Sequence, residues 1–392
     1  MVSVLLLVGL AASVFVGFNI GGSSTGIAFG PPVGAGLVRK TGAAGLMVVF
    51  VFLGGWTVGR NVIETLAGEL VTVAIPLEAG VAVLAFIGLG ILAGNLLSVP
   101  VPTSMTTVGS IAGLGLANGT LDFQTVGRIV SWWILAPFIG FFVGLIVGRH
   151  FYPSLARRFG VASSEGPLLV LDRSGAVPRP VLGPNTTPGE LAGTLVVYAI
   201  SCYMAFSAGA SNVANAVAPL VSSGAVGADA AILVATGAIG LGAFTIARRT
   251  MESVGTELTD ISLFAALVVM VTAATITSGL SWMGVPISLV MGTVMTIAGL
   301  GWGRATRPIS LGDAVRGSVA GKMDGEIVLD AVTAEPGGPV REIGEAESRD
   351  LLERTGELFD RKTLARYVTM WIVSPSISLL LSWAFFLAVP FV

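Results

Sequence analysis

The chain has 392 residues, of which 54% are hydrophobic and 11% are charged, and its formal net charge is −2. Soluble domains carry about 25% charged residues, so this composition excludes an ordinary soluble enzyme and predicts a multi-pass protein in contact with the lipid bilayer. The small net charge gives no reason to expect a nucleic-acid partner. The one cysteine, Cys202, excludes a disulfide framework.

Apolar runs of the length that crosses a bilayer, about 17–25 residues, recur along the first part of the chain. They cover residues 2–16, 42–59, 79–98 and 129–148, with an amphipathic stretch at 61–75 and a short run at 105–117. Pro100 and Pro102 end the helix at 79–98, because proline lacks the N–H group and restricts the preceding residue. The first run leads into an uncharged stretch, Gly17–Ser24, that is rich in glycine, hydroxyl and amide groups.

The second part of the chain repeats this order. A span from about residue 191 leads into a similar stretch, Gly209–Ala216, and spans follow at 230–247, 261–280 and 367–389. Pro286 precedes another short run at 287–301. The sequence therefore predicts an all-α membrane protein of two repeats, with ten to twelve membrane segments.

Charged residues suggest boundaries and an inverted arrangement. We place a first repeat at 1–149, a polar connector at 150–189, a second repeat at 190–302, a charged loop at 303–365 and a last helix at 366–392. Arg39 and Lys40 precede the span at 42–59, whereas Arg248 and Arg249 follow its equivalent at 230–247. Because positive residues favour the cytoplasm, these helices should run in opposite directions, with the connector and the charged loop both cytoplasmic.

The two glycine-rich stretches are predicted to break their helices near mid-membrane. Irregular backbone at that depth is tolerated only where it is buried in protein or lines a wet cavity. Paired breaks, one in each repeat, are typical of transporters with a binding site near the midplane. Free N–H groups at a broken helix can hold an anion without a fixed cation.

These stretches also carry a family resemblance. Gly209–Ala216 resembles the Gly-Ala-Asn-Asp-Val-Ala-Asn-Ala signature of the inorganic phosphate transporter (PiT) family, and Gly17–Ser24 is a looser copy. The stretch from Pro102 to Thr107 looks like the second family signature, Pro-Val-Ser-Thr-Thr-His. The resemblance covers nearly all the membrane-embedded chain. It implies a cell-membrane carrier of phosphate, or of sulfate as in one branch of the family, with a coupling cation.

The chain departs from the family at the residues associated with coupling. Ile20 and Asn212 stand where the family has aspartate, and Thr107 stands at the family histidine. Sodium or a proton remains the coupling ion that the resemblance implies. We expect any sodium site, near Asn19, Asn212 and Asn215, to be weak. No other cofactor is expected, and a homodimer stays open.

An oxyanion needs converging hydrogen-bond donors, and hydroxyls and amides supply them. The candidate binding residues are Asn19, Ser23, Ser24, Thr25, Ser104, Thr106, Ser211, Asn212, Asn215 and Ser288. We also expect Ser104 and Ser288 to cap the helices that follow the prolines. The alternative for each serine or threonine is simple helix packing. An amide in the bilayer is costlier, which favours a functional role for the asparagines.

We therefore predict a permease that moves inorganic phosphate by alternating access. A sulfate permease of the same fold and an uncoupled anion channel are the alternatives. The spans hold no nucleophile–base pair and no paired aspartates, which argues against an intramembrane enzyme. Two paired breaks favour a carrier, since a channel would want one continuous polar stripe.

Overall fold

The computed structural model describes residues 3–96, 102–152, 169–172, 179–183, 186–248, 251, 263–306 and 361–389. The predictions made for Pro100, Arg249, most of the connector and most of the charged loop lie outside these residues. The helices, in chain order, are α1 Val4–Gly34, α2 Lys40–Trp56, α3 Gly59–Glu64, α4 Leu77–Leu96, α5 Thr103–Ala117, α6 Phe123–Ile146, α7 Pro188–Ser222, α8 Ala228–Phe244, α9 Leu263–Trp282, α10 Leu289–Ala305 and α11 Arg361–Ala388.

Short additions complete this helical architecture. The π-helical turns Thr65–Glu69 and Val147–Phe151 extend α3 and α6. In the connector, β1 (Leu169–Asp172) pairs antiparallel with β2 (Arg179–Leu182), Leu169 lying opposite Leu182. This two-stranded ribbon was not anticipated from the sequence, and it lies outside the membrane-spanning helices.

Long apolar helices make this an integral membrane protein. Among the described residues, 5 helices are long and apolar enough to cross a membrane, or 6 if the bent pair of α2 and the extended α3 is one span. On α6, Phe138 and Phe142 are each 55% exposed, as expected for side chains that face lipid. The predicted total of ten to twelve membrane segments stays a prediction.

Helix packing shows that the chain contains an internal repeat, in which helices of the first half pack against helices of the second half. Helix α1 packs on α8 while its counterpart α7 packs on α2. In the same way α5 packs on α11, while its counterpart α10 packs on α6. Swapping the halves therefore maps each helix pair onto another observed pair, which confirms the repeat.

Contacts along α2 and α7 show that the repeat is inverted. The Tyr198 hydroxyl donates to the Leu37 carbonyl at 3.1 Å, and further along both helices Gly55 meets Val213. Contacts that advance together along both chains mean that α2 and α7 are parallel. The short turn after α1 reverses the chain, so α1 and its counterpart α7 run in opposite directions. The start of α2 and the end of α8 consequently lie at the same end of the molecule.

The predicted helix breaks at 17–24 and 209–216 are wrong. Helices α1 and α7 run without interruption through both stretches. Neither stretch contains proline, and the glycines serve close packing instead. A Cβ on Gly21 would collide with the backbone of Ile239, and a Cβ on Gly209 would collide with that of Val51. The observed bend, of 61°, lies between α2 and α3.

Helices α5 and α10 are short, as the runs after Pro102 and Pro286 predict; the sequence left open whether these runs cross the membrane or re-enter it. We call them the half-spanning helices, because each begins inside the protein. Their 15 and 17 residues reach about 22–26 Å, at about 1.5 Å per residue. The end of α5 lies near the start of α6, where Leu121 bridges Val71. The end of α10 lies at the opposite end of α6, where Arg304 sits over the Tyr152 ring at 4.6 Å. The two N-termini therefore meet inside the protein.

Two ion pairs occur at the end of the molecule opposite to Lys40. Arg60 pairs with Asp229 and Arg128 pairs with Glu69, each at 2.6 Å. These two arginines run against the charge-based orientation, but each is neutralised by an acid. Nearby, Asp122 caps α6 by accepting the Thr125 N–H at 2.6 Å. This hydrogen bond lowers the pKa of the Asp122 carboxyl.

Candidate functional site

The site forms where the N-terminus of α5 meets α7. Pro102 precedes α5 in extended backbone, and no side chain caps the helix. The first N–H groups of a helix have no partner within it, so those of α5 point out of its buried end. The predicted capping by Ser104 and Ser288 is wrong, because neither makes a side-chain cap bond. The Ser104 hydroxyl instead donates to the Ile287 carbonyl at 3.0 Å.

One turn of α7 faces this end of α5. The Asn215 amide donates to Ser104 Oγ at 3.0 Å and to Asn212 Oδ1 at 3.3 Å. Ser211 lies 3.3 Å from Ser104 Oγ, and its hydroxyl also donates to the Ile287 carbonyl. The carbonyl just before α10 therefore accepts two hydroxyls, which links the two half-spanning helices to α7.

Asn212 joins three helices. Its Oδ1 accepts the Thr103 hydroxyl at 2.9 Å, and its Nδ2 donates to Ser24 Oγ at 3.3 Å. We call the six linked residues Ser24, Thr103, Ser104, Ser211, Asn212 and Asn215 the polar cluster. Each is at most 9% exposed, and none carries a charge. In this structure the hydroxyl and amide donors bond within the cluster and to the Ile287 carbonyl, so binding an anion would require them to exchange these partners for the anion's oxygens.

The polar cluster contains five of the ten candidate residues: Ser24, Ser104, Ser211, Asn212 and Asn215. Ser288 directly follows Ile287 and is 2% exposed. The remaining four make the following contacts: Asn19 Nδ2 donates to the Phe15 carbonyl, Ser23 to the Ile20 carbonyl, Thr25 to the Gly21 carbonyl, and the Thr106 hydroxyl is bonded to Ser374. Thr106 therefore contacts α11, and its role in binding stays a prediction.

Thr103 and the Ile287 carbonyl were missed from the sequence. Thr103 lies between Pro102 and Ser104, inside the stretch that resembles a family signature, so its position was a usable signal. The Ile287 carbonyl has no such signal, because its role depends on how α10 meets α5. Among the described residues, six buried side-chain nitrogen or oxygen atoms lack a hydrogen-bond partner, and Asn215 Oδ1 is the one that belongs to the polar cluster.

The described residues contain no group of three or more His, Cys, Asp and Glu side chains placed to hold a metal. Ile20, at one family aspartate position, is fully buried in the apolar core. At the other position Asn212 offers one neutral oxygen, already shared by Thr103 and Asn215. A sodium ion here would be held by neutral oxygens alone.

Two inverted helical halves that enclose a neutral polar cluster are typical of membrane transporters. The chain matches the phosphate transporter family, PHO4, over residues 20–382. It therefore belongs to that family, as the two signatures indicated.

Similar proteins carry related names. The sulfate permease CysP of Bacillus subtilis is 29% identical over 291 residues, which is 74% of this chain and 75% of that protein. Putative phosphate permease PF1020 of Pyrococcus furiosus is 24% identical over 371 residues, covering 78% of this chain and 88% of that one. The chain also resembles a solved structure described as the sodium-dependent phosphate transporter. That match has a TM-score of 0.64 at 18% identity and covers 98% and 99% of the two chains, which supports the fold.

Proposed function

We propose that this permease carries inorganic phosphate, and that the anion binds at the polar cluster, against the first N–H groups of α5. The observation that supports phosphate is the unpartnered, fully buried Asn215 Oδ1. Phosphate near pH 7 keeps at least one O–H group, which needs an acceptor, whereas sulfate has none. The amide oxygen supplies that acceptor, and the hydroxyls and N–H groups bind the remaining oxygens.

Alternating access fits the arrangement of the half-spanning helices. The polar cluster draws residues from α1 and α5 of the first half and from α7 of the second. Helices α5 and α10 lead from it toward opposite ends of the molecule. A relative movement of the two halves would open the cluster to one side and then to the other.

The proposal also covers the orientation of the protein in the membrane, its coupling ion and its oligomeric state. We place the protein in the cell membrane, with Lys40 and Arg248 on the cytoplasmic side because positive residues favour that side. Sodium, if it couples, binds weakly, since neutral oxygens lack the charge attraction of a carboxylate. A homodimer stays a prediction.

Sulfate is the second candidate. The polar cluster contains no carboxylate that could accept a hydrogen bond from the O–H group of a protonated anion. The similar Bacillus subtilis protein is named a sulfate permease. Uptake of labelled phosphate into proteoliposomes, competed by unlabelled phosphate and by sulfate, separates the two. We expect phosphate to compete better. Stronger competition by sulfate would overturn the choice of phosphate while keeping the site.

The site itself is tested by Asn215→Ala, with Ser201→Ala as its matched control. Ser201 is a fully buried hydroxyl on the same helix, bonded only to its own turn at the Val197 carbonyl. We expect Asn215→Ala to raise the KM for uptake at least about tenfold, because it removes donors to the cluster and an acceptor for the anion. Saturable uptake with counterflow would support a carrier over a channel. An unchanged KM in Asn215→Ala would contradict the site.

A further inference from the structure

Both halves contain a helix break, although not where the sequence predicted one. Helix α2 ends before Thr57, whose ψ of −83° lies outside the α-helical range, and α8 ends in the same way before Thr245, with a ψ of −81°. Each threonine hydroxyl donates to the carbonyl four residues earlier at 2.6 Å. A Cβ on Gly59, just past the first break, would lie 3.3 Å from the Ala210 carbonyl oxygen. Because Ala210 directly precedes Ser211, the break between α2 and α3 lies beside the polar cluster.

The segment that follows this break packs with one side against the loop that leads into α10. We call Gly59–Glu69, which is α3 with its π-helical turn, the hinged segment. The Asn61 amide donates to the Trp282 carbonyl at 2.6 Å. One turn further, a Cβ on Gly284 would lie 2.7 Å from Thr65 Oγ1. Gly284 precedes by three residues the carbonyl that accepts two hydroxyls of the polar cluster. The hinged segment therefore covers the loop that supplies this carbonyl.

The other side of the hinged segment faces open space. Arg60, Glu64 and Gly68 recur at intervals of four residues and so share one face of the segment. They border a cavity of about 530 Å³, which is also lined by Ser222 at the end of α7 and Ala228 at the start of α8. A Cβ on Gly68 would meet nothing within 4 Å. The segment is thus packed on one side and has room to move on the other.

Two solvent-exposed ion pairs hold the hinged segment in place. Arg60 donates to Asp229 at 2.6 Å, and across the break its Nε donates to the Trp56 carbonyl at 2.7 Å. The side chains of Arg60 and Asp229 are 34% and 67% exposed. At the other end of the segment, Glu69 accepts Arg128 at 2.6 Å. Ion pairs this exposed to water add little stability, so they can break and form again at small cost.

We propose that the hinged segment is the outer gate of the permease. It turns about the break at Thr57, moves away from the loop before α10 and into the cavity, and so opens the polar cluster toward the outer side. The bonds of Arg60 to Asp229 and of Asn61 to the Trp282 carbonyl hold it closed. This inference rests on the proposed function, and it assigns one movement of alternating access to a particular element.

The first test locks the hinged segment against the loop. In full-length protein with Cys202→Ser, the changes Asn61→Cys and Met283→Cys place one thiol on the segment and one beside Trp282. A bifunctional methanethiosulfonate reagent joins the two thiols through disulfide bonds, which a reductant cleaves. We expect cross-linking to lower phosphate uptake into proteoliposomes at least about tenfold, because the gate can no longer open. Treatment with reductant should restore uptake.

The matched control is a cysteine pair that leaves the hinged segment free. Tyr203→Cys and Thr275→Cys replace two residues whose hydroxyls lie 3.4 Å apart between α7 and α9. The same reagent should join them without changing uptake. Uptake that survives cross-linking of the pair at 61 and 283, or that is lost equally in the control pair, overturns the gate and leaves the proposed binding site standing. Wild-type protein that takes up no phosphate overturns both.

A second measurement does not depend on uptake. Val62 is fully buried on the hinged segment, so in the Cys202→Ser background Val62→Cys should react with an impermeant thiol reagent when the gate opens. Asp229→Ala removes one ion pair of the closed gate and should raise the labelling rate about twofold to fivefold. Glu64→Ala removes a carboxylate that belongs to neither ion pair and should leave the rate unchanged. A labelling rate that Asp229→Ala does not raise contradicts the gate.

Discussion

At the scale of single residues, the polar cluster solves the problem of placing hydrogen-bonding groups inside a membrane protein without charge. Each buried amide or hydroxyl would cost free energy if it were left alone. Here the Asn215 amide N–H donates to Asn212 Oδ1. The serine and threonine hydroxyls bond to the two amides and to the Ile287 carbonyl. Within the polar cluster, Asn215 Oδ1 has no partner among the described residues, and the proposed anion would satisfy it.

The absence of the family aspartates at positions 20 and 212 leads to a prediction about coupling to sodium. Asn212→Asp keeps the oxygen that accepts Thr103 and Asn215 and adds a negative charge beside Ser24. A carboxylate attracts a hard cation more strongly than an amide oxygen does. We expect wild-type uptake to respond weakly to a sodium gradient and Asn212→Asp to respond more steeply, measured as labelled phosphate uptake with and without external sodium.

The control for that experiment is Ile20→Asp. Ile20 is fully buried in the apolar core, so a carboxylate there lacks polar partners and should destabilise the protein instead of restoring coupling. Steep dependence of the wild-type protein on sodium would contradict the argument, because ligands other than the family aspartates would then hold the cation.

At the scale of helices, glycines set how closely the elements approach. Gly54 on α2 meets the backbone of Phe206 on α7, and Gly299 on α10 meets that of Phe141 on α6. In a bilayer such contacts matter because helix association depends on close packing and hydrogen bonds rather than on hiding apolar surface from water. The glycines that meet the backbone of a neighbouring helix therefore mark the places where two helices pack closely.

One pair of substitutions on α2 tests this role of glycine. A Cβ on Gly54 would collide with the Phe206 carbonyl, whereas a Cβ on Gly45 meets nothing within 4 Å. Gly54→Ala should lower the free energy of unfolding by about 1–3 kcal/mol, as overpacking does. Gly45→Ala should leave it unchanged or raise it by about 0.5–1 kcal/mol, since alanine favours helix. Thermal unfolding in detergent measures both, and equal stabilities would contradict the packing assignment.

Much of the helical architecture was predictable, because long apolar runs and proline stops are local signals. The starts of α5 and α10 follow directly from Pro102 and Pro286. The continuity of α1 and α7 was not predictable. Glycine, serine and asparagine suit a broken helix and a tightly packed helix equally well, and only the neighbouring backbone decides between them. At Gly21 that neighbour is Ile239, 218 positions further along the chain.

The site was predictable to the extent that a side chain's chemistry marks it. Asn212 and Asn215 could be recognised from the sequence as candidate site residues, because an amide inside an apolar segment needs hydrogen-bond partners. Thr106 and Thr103 are the same residue type three positions apart, yet one faces α11 and the other faces α7. Which face of α5 meets which helix depends on tertiary packing, which a single sequence does not encode locally.

At the scale of the whole molecule, inversion predicts where charged helix ends lie. The start of α2 and the end of α8 share one end of the protein, and the start of α8 lies at the other. In a Cys202→Ser background, Lys40→Cys and Arg248→Cys should both react only when an impermeant thiol reagent reaches the cytoplasm. Gly227→Cys, just before α8 and with open space around it, should react only from outside. Labelling of Lys40→Cys and Arg248→Cys from opposite sides would refute the arrangement.

The exchange of helices between the halves also has a consequence for biosynthesis. The surface of α2 that receives α7 is complete once Gly59 has been made. Gly209 of α7 contacts Val51 of α2 and lies 158 positions after Val51 in the chain. At about 5–20 residues per second on the ribosome, the first half waits roughly ten to thirty seconds in the membrane with this surface unfilled. Assembly of the protein is therefore completed only after synthesis of the second half, and a ribosome that stalls in the connector would release a half-protein with no partner for α2.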